Sequence, residues 1–576
     1  YVRQESYKLN YIAKVELGEQ KLDNPYETFK DFYTKDYQRF VEYNIQDVEL
    51  VDRLEDKMKL IELCLTMAYD YKVNYTDVYS QVRCWDTIIY NHLLTKNIII
   101  PPREDQIKDS QYEGAYVKDP QLGLHNWIVS FDLNSLYPHL IMQYNISPEM
   151  FIGVEPKAVG VDNFLEEKLN LKWAKDRNVA IAPNGAMFKR DKQGFLPELM
   201  EKMYTERVVY KKKAIEAKKE YQKTKDPIYQ NEISRCHNIQ MAKKISLNSA
   251  YGAIGNQYFR YFDVKQAEAI TLGGQLSIRW VERDVNRFMN KLLGTDNKNY
   301  VVASDTDSIY LKLDTLVEKV CKGKSTKQIV DFLNKAAEDK IQKVIDDSYQ
   351  NLAHYVNAYQ QKMIMKREAI ANKGIWVAKK RYMMNVFDEE GVQYDIPKLK
   401  IMGVEAVKSS TPEVCRGKIK DAIRVIMNDS EDALIKFVND FKEVFKTLSP
   451  EEVAFPRSCN NVNRYVDSNS IYKKGTPIHV KGALIYNHHI NKNRLSAKYP
   501  LIKDGDKIKF LMLKQPNTVK DTVISFSTKI PYEFDLHKYV DYDTQFEKTF
   551  TDPLKFILDS IGWKLEREAT LEAFFG

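Results

Sequence analysis

The sequence predicts an α+β protein of several subdomains, and three observations predict it. An apolar, strand-like run, Trp127-Ile128-Val129-Ser130-Phe131, ends in Asp132. Two further runs, Tyr300 to Ala303 and Ile309 to Leu313, flank Ser304-Asp305-Thr306-Asp307-Ser308, the pattern of a β-hairpin with carboxylates at its tip. Between these strands, residues 197–251 are strong helix formers broken once, at Asp226-Pro227, which is the pattern of a helical hairpin.

The length supports several subdomains, because 576 residues exceed the size at which one hydrophobic core stops growing. Hydrophobic residues make up 44% and charged residues 29%, which excludes a disordered or fibrous chain. Six scattered cysteines with no C-x-x-C pair exclude a zinc ribbon, an iron–sulfur cluster and a disulfide framework. No apolar run is long enough to cross a bilayer, and residues 1–5 lack the layout of a signal peptide, so a soluble, cytoplasmic protein without a membrane partner is expected. Net charge is +7, a bias that suits a polyanionic partner without identifying one. The first residue is Tyr1 rather than Met, and an upstream segment is expected to be missing.

Taken in order, the chain reads as helical from about Leu60 to Asn97, until Pro101-Pro102 breaks it. A new region opens at Tyr112-Glu113-Gly114-Ala115 and leads into the first strand, after which Asn134 or Ser135 is placed to cap a helix. The helical hairpin follows. From Arg207 to Lys225 it carries eight basic residues against two acidic ones, Glu216 and Glu220. By itself this is the pattern of a solvated face, and with an anionic ligand it is a binding face. After about Thr411 the chain becomes a Lys-rich, helix-then-strand lobe.

The chemistry these residues suggest is metal-assisted. Hard divalent cations need oxygen ligands, and Asp at a strand end or turn holds them rigidly. An isolated Asp there is more often a cap, but carboxylates crowded at one turn repel unless a cation is present. Asp132 and Asp307 could together hold two Mg²⁺ ions about 4 Å apart, the arrangement that activates a hydroxyl and neutralises a leaving phosphate. The Leu133 carbonyl offers one more oxygen, and Asp305 is the weaker candidate by strand alternation. On the hairpin, Arg207 and Lys211 share one helix face, and Lys244, Asn248 and Tyr251 share another. The two faces offer a guanidinium fork and two ammonium groups to a triphosphate, with Tyr251 left to stack on a base.

Three segments then declare a resemblance. Asp132-Leu133-Asn134-Ser135-Leu136-Tyr137-Pro138, Lys244-Ile245-Ser246-Leu247-Asn248-Ser249-Ala250-Tyr251-Gly252 and Asp305-Thr306-Asp307-Ser308 resemble motifs A, B and C of family B DNA polymerases of the T-even phage type, in the same order. The resemblance implies a right-hand polymerase that uses primer–template DNA, deoxynucleotides and two Mg²⁺ ions. It implies a residual exonuclease part and connecting helices at 1–103, palm at 104–193 and 257–410, a helical fingers hairpin at 194–256 and a thumb at 411–576.

Residue by residue, it implies metal binding at Asp132, Leu133 and Asp307. Nucleotide binding falls to Ser135, Leu136, Tyr137, Arg207, Lys211, Lys244, Asn248 and Tyr251, with Tyr137 under the sugar where a 2′-hydroxyl would collide. Glu368 matches an additional palm carboxylate. Tyr112 and Gly114, Lys379-Lys380-Arg381-Tyr382, and Lys398 and Lys400 resemble segments that grip primer–template DNA. Leu571, Phe574 and Phe575 resemble a tail that hooks a sliding clamp.

The chain departs from the pattern in two places. Ala303-Ser304 stands where Tyr-Gly usually precedes motif C. Tyr43 and Asp47 resemble the third motif of an RNase H-like 3′–5′ exonuclease, yet no earlier residue supplies its other carboxylates. The expectation is a polymerase that cannot proofread alone, with a separate exonuclease chain as a candidate partner. The rival readings are a polymerase-like DNA-binding subunit of a split enzyme and a stand-alone nuclease.

Overall fold

The computed structural model describes residues 3–26, 28–104, 107–108, 110–467 and 470–565. Its centre is a six-stranded antiparallel sheet built from β1 (Gly123–Leu133), β2 (Val301–Asp305), β3 (Ser308–Lys312), β4 (Met365–Ala378), β5 (Arg381–Glu389) and β6 (Val392–Met402). The strand order is β2-β3-β1-β4-β5-β6, so the earliest strand in sequence ends up in the interior. Alternation along β1 separates two faces. Val129, Phe131 and Leu133 enter the large core, whereas Ile128 joins Tyr310, Ala369, Trp376 and Tyr382 on the opposite face.

The large core is completed by helices on one side of the sheet, chiefly Leu136–Tyr144 and Val264–Leu293. The latter has a nearly continuous buried stripe, in which Gly273 and Gly274 meet the rings and methyls of Tyr144, Leu140, Leu136 and Tyr137. The helical hairpin runs from Phe195–Thr224 to Pro227–Ile254, as the sequence pattern predicts. Asp226 caps the second helix by accepting the Ile228 N–H at 2.9 Å, and Pro227 fills the first turn, where its missing donor costs nothing.

The root of the hairpin is fixed by Asn145, whose backbone is left-handed and whose side chain is fully buried. Its amide donates to the carbonyls of Lys189 at 2.7 Å and Lys192 at 2.9 Å and accepts from the Gly194 N–H at 2.8 Å. Helices Leu60–Tyr71 and Gln81–Thr95 pack onto Pro227–Ile254, with the Tyr71 hydroxyl donating to the Ala242 carbonyl and the Trp85 indole to Ser249.

A second core contains residues from 404 onward together with Ile375, Val377 and Met383 from the sheet. It packs helices such as Glu413–Asn428 and Ile478–Lys492 against a small sheet of Phe455–Cys459, Asp506–Met512 and Val523–Phe526. Glu5, nearly inaccessible, pairs with Arg416 at 2.7 Å and Lys509 at 3.5 Å, fastening the first residues to this lobe.

One expectation is corrected. Ser135 occupies the N-cap position of Leu136–Tyr144 but makes no side-chain cap; its backbone is left-handed, and its hydroxyl accepts instead from Arg207. Asn145→Ala should strip three buried hydrogen bonds from the hairpin root, at a cost on the order of 2–3 kcal/mol. The check is a lower urea midpoint for the variant than for the parent.

Candidate active site

Antiparallel pairing of β1 with β3 places Asp132 opposite Ser308, one residue past Asp307. The pairing ends in a backbone bond: the Leu133 N–H donates to the Asp307 carbonyl at 2.8 Å. Directly opposed residues in such a pair lie about 5 Å apart, so the two carboxylates share one end of the sheet. The tip that carries Asp307 is a tight turn, with Thr306 left-handed at φ 58 and the Asp307 N–H reaching the Asp305 carbonyl at 2.6 Å. The segment 112–118 braces this turn, since the Thr306 N–H donates to the Tyr116 carbonyl at 3.0 Å.

Electrostatics mark the pair. Burial, then the neighbouring Asp307 and Glu368, push the Asp132 carboxyl up to about 7. Burial, with Asp305 and Glu368 adding to it, pushes Asp307 up to about 6. Asp132 accepts no hydrogen bond or ion pair from the described residues. Two half-buried, mutually repelling acids without a bonded cationic partner fit a divalent cation. No group of three or more His, Cys, Asp or Glu among the described residues forms a metal cage.

The other acids are committed elsewhere. Glu368 accepts from Ser130 at 3.1 Å and pairs with Lys400 at 2.6 Å. Asp305 faces Lys380 at 3.3 Å.

On the first hairpin helix, Arg207 reaches the Ser135 hydroxyl at 3.4 Å, and its buried Nε has no partner among the described residues. This is a guanidinium with a donor to spare, held to the residue that starts the helix after Asp132. Lys211, Lys244 and Asn248 are exposed on the hairpin. Tyr251 stacks obliquely on Tyr137 at 4.6 Å and donates to the Tyr112 hydroxyl at 3.3 Å, so three tyrosines form one cluster. Gly255 permits this approach, since a Cβ there would lie 2.2 Å from the Tyr112 oxygen. Leu136 is buried, and Gly114 offers its carbonyl to Gln275 at 2.7 Å.

Several expected contacts with a nucleic acid are placed differently. Tyr382 is 6% exposed, its hydroxyl shared with Tyr310 at 2.7 Å and its ring stacked on Trp376, so it is a core residue rather than a surface contact. Lys398 pairs with Glu389 and Lys400 with Glu368, while Arg381 pairs with Glu405 at 2.6 Å. Lys379 pairs with the exposed Asp119 at 3.0 Å. In place of the usual Tyr-Gly, Ala303 is buried and Ser304 keeps a buried hydroxyl without a partner among the described residues. Asp47 is held by Lys21 at 2.6 Å beside the Tyr43 ring. Leu571, Phe574 and Phe575 lie outside the described residues.

One residue that sequence reasoning passes over organises the hairpin. Lys243, beside Lys244, is 7% exposed and pairs with Asp70 at 2.7 Å and Glu206 at 2.6 Å. It thereby ties the second hairpin helix to the first and to Leu60–Tyr71. A signal is present: Lys243 shares a stripe with Ser246, Leu247 and Ala250, and a Lys on a buried stripe implies a paired one.

The DNA polymerase family B model matches residues 73–561. The chain belongs to DNA polymerase family B. It is 33% identical to the DNA-directed DNA polymerase of Escherichia phage RB69 over 634 aligned residues, spanning all of this chain and 69% of that protein. The corresponding protein of Enterobacteria phage T4 is 32% identical over 629, spanning 99% and 68%. DNA polymerase 1 of Pyrococcus abyssi is 26% identical over 541, spanning 92% and 58%. Family B enzymes are DNA-directed DNA polymerases, nucleotidyltransferases that extend primed templates, and this chain is one of them. No described helix is long and apolar enough to cross a membrane.

Lys243→Met should leave Asp70 and Glu206 facing each other and free the hairpin helix to rotate, displacing Lys244. The expected result in this family B chain is a severalfold higher KM for deoxynucleotides, restored by Lys243→Arg; an unchanged KM would show that the triad is only structural.

Proposed function

We propose that this family B polymerase joins a deoxynucleotide to a primer 3′-hydroxyl at Asp132 and Asp307. The single observation that carries the reading is the strand pairing that sets these two carboxylates, neither of them bonded to a cation among the described residues, together at one end of the sheet. Asp132, Asp307 and the Leu133 carbonyl would hold two Mg²⁺ ions, which when bound supply hydroxyl activation and charge neutralisation at the transferred phosphate. Arg207, with its unpartnered Nε, orients the triphosphate, and Lys211 and Lys244 add positive charge along the same hairpin. Ser135 steers Arg207 by accepting its Nη1. Tyr137, held against Tyr251, closes the space a ribose 2′-hydroxyl would need, while Asn248 and Tyr251 face the nascent pair.

In this reading the central sheet is the palm (104–193 and 257–410), the hairpin is the fingers (194–256), and residues 411–576 are the thumb, with the clamp-binding tail at its end. Residues 1–103 are the remainder of the exonuclease and its connecting helices. A separate exonuclease chain is a coherent partner for this part, because helix Tyr37–Met58 exposes Tyr37, Ile45, Val48 and Val51 by half or more. Asp47 there already has Lys21 as its counter-ion, so it does not act alone as an editing metal site.

Asp307→Ala should abolish primer extension and leave primer–template binding nearly unchanged; extension at more than a few per cent of the parent rate would refute the assignment. A pH test is independent of turnover. Because both carboxyls titrate above the ordinary carboxylate value, the folded chain binds more protons than the unfolded one between about pH 4 and 7. In the absence of metal, stability due to this pair therefore falls as pH rises through that window. Mg²⁺, if held by Asp132 and Asp307, would favour their ionised form. It should raise the melting temperature more at pH 8 than at pH 5.5, and Asp132→Asn should remove the difference.

A further inference from the structure

Between the central sheet and helix Leu136–Tyr144 the chain turns on a single residue. Leu133 and Asn134 are still pinned by neighbouring segments, the first through its N–H to the Asp307 carbonyl at 2.8 Å and the second to the Ile364 carbonyl at 2.9 Å. Ser135 comes next and is left-handed, at φ 47 and ψ 58, a conformation that a residue with a Cβ keeps only where its surroundings impose it. Its side chain makes no cap. Its carbonyl, however, receives two hydrogens from one residue: the His139 backbone N–H donates to it at 3.2 Å and the His139 ring Nδ1 at 3.0 Å. A carbonyl only accepts, so Nδ1 carries the ring hydrogen. Burial above all, then the Lys362 and Arg207 cations, hold the ring below the ordinary histidine pKa, and no carboxylate pairs with it among the described residues. Lys362 has its own partner in Glu201, at 2.6 Å. The His139 ring is therefore neutral, and the hydrogen given to Ser135 is the one it has. His139 is 3% exposed, and its ring meets the Tyr204 ring edge to face at 4.5 Å. Tyr204 lies one turn before Arg207 on helix Phe195–Thr224, and Arg207 closes the bracket by donating to the Ser135 hydroxyl at 3.4 Å.

The carbonyl and the Cα–Cβ bond of a residue are oriented by the same two dihedrals, so a clamp on the Ser135 carbonyl also sets where its hydroxyl starts from. We propose that His139 is a positioning residue for the incoming nucleotide: by holding the Ser135 carbonyl it sets the hydroxyl that steers Arg207. The ring touches no reacting atom, and it lies one residue beyond the Asp132–Pro138 segment. The inference rests on the reading of Arg207 as the group that orients the triphosphate. The rival role for His139 is packing against Tyr204, and the two roles can be separated by chemistry. Phe keeps a ring and loses the hydrogen. Asn loses the ring and keeps a donor as many bonds from Cα as Nδ1, whereas Gln carries its donor one bond further out, at the distance of Nε2.

The test measures steady-state primer extension by the full chain and by His139→Phe, His139→Gln, His139→Asn and Arg207→Ala, together with the double variant of His139→Phe and Arg207→Ala. His139→Phe and His139→Gln are expected to raise the deoxynucleotide KM about fivefold, the worth of one hydrogen bond, with kcat changed by less than about twofold. His139→Asn should bring KM back close to the parent value. In the Arg207→Ala background His139→Phe should add nothing, because the guanidinium it positions is gone. A smaller folded fraction lowers kcat and leaves KM in place, so a poorly folding variant still reports; if His139→Phe yields no folded chain, the contrast of Asn with Gln carries the decision. A KM that Phe preserves and Asn does not, or that neither Phe nor Gln moves, makes His139 a packing residue and overturns the proposal. So does an effect of His139→Phe that persists in full without Arg207. An Arg207→Ala KM equal to that of the parent overturns the triphosphate role of Arg207 and this inference with it, whereas a raised one beside an unmoved His139→Phe and His139→Gln overturns the inference alone.

Discussion

The backbone bond from Leu133 to the Asp307 carbonyl is the constraint on which the site depends. It closes the pairing of β1 with β3 and so decides which residues share the sheet's end. Side chains alternate with a period of two, so a slip of one residue would turn Asp132 into the large core and bring Phe131 out in its place. The hydrophobic alternation of Val129, Phe131 and Leu133 prevents that slip. The apolar residues that stabilise the sheet therefore also aim its acids, and packing and chemistry are specified by the same strand.

Much of this is legible in the sequence, because local pattern carries it. Pro197, Lys225 and the Asp226-Pro227 break bound the helical hairpin, and the observed helices differ only by a few residues at their ends. The two strands of the acidic hairpin and the run before Asp132 are equally plain, since alternation and turn residues are local signals. The order of strands in the sheet is not, because pairing between distant segments leaves no periodic mark.

Partners of charged residues are the least legible feature. Lys243 and Lys244 are chemically identical neighbours, yet one helix step turns the first into a buried ion triad and leaves the second exposed. The same limit explains Lys400, Lys398 and Tyr382, which a motif groups with surface contacts and the fold assigns to Glu368, Glu389 and Tyr310. Motif spacing reports which residues matter together. It does not report which of them are already occupied.

The position of β1 inside the sheet has a consequence for how the molecule is made. Its neighbours, β3 and β4, arrive on the ribosome long after it, with the whole helical hairpin synthesised in between. Until they emerge, β1 is an apolar segment with open edges that carries one of the two proposed metal-binding acids. A nascent chain halted anywhere before β3 therefore cannot bring Asp132 and Asp307 together, and one halted before β4 leaves one edge of β1 unpaired.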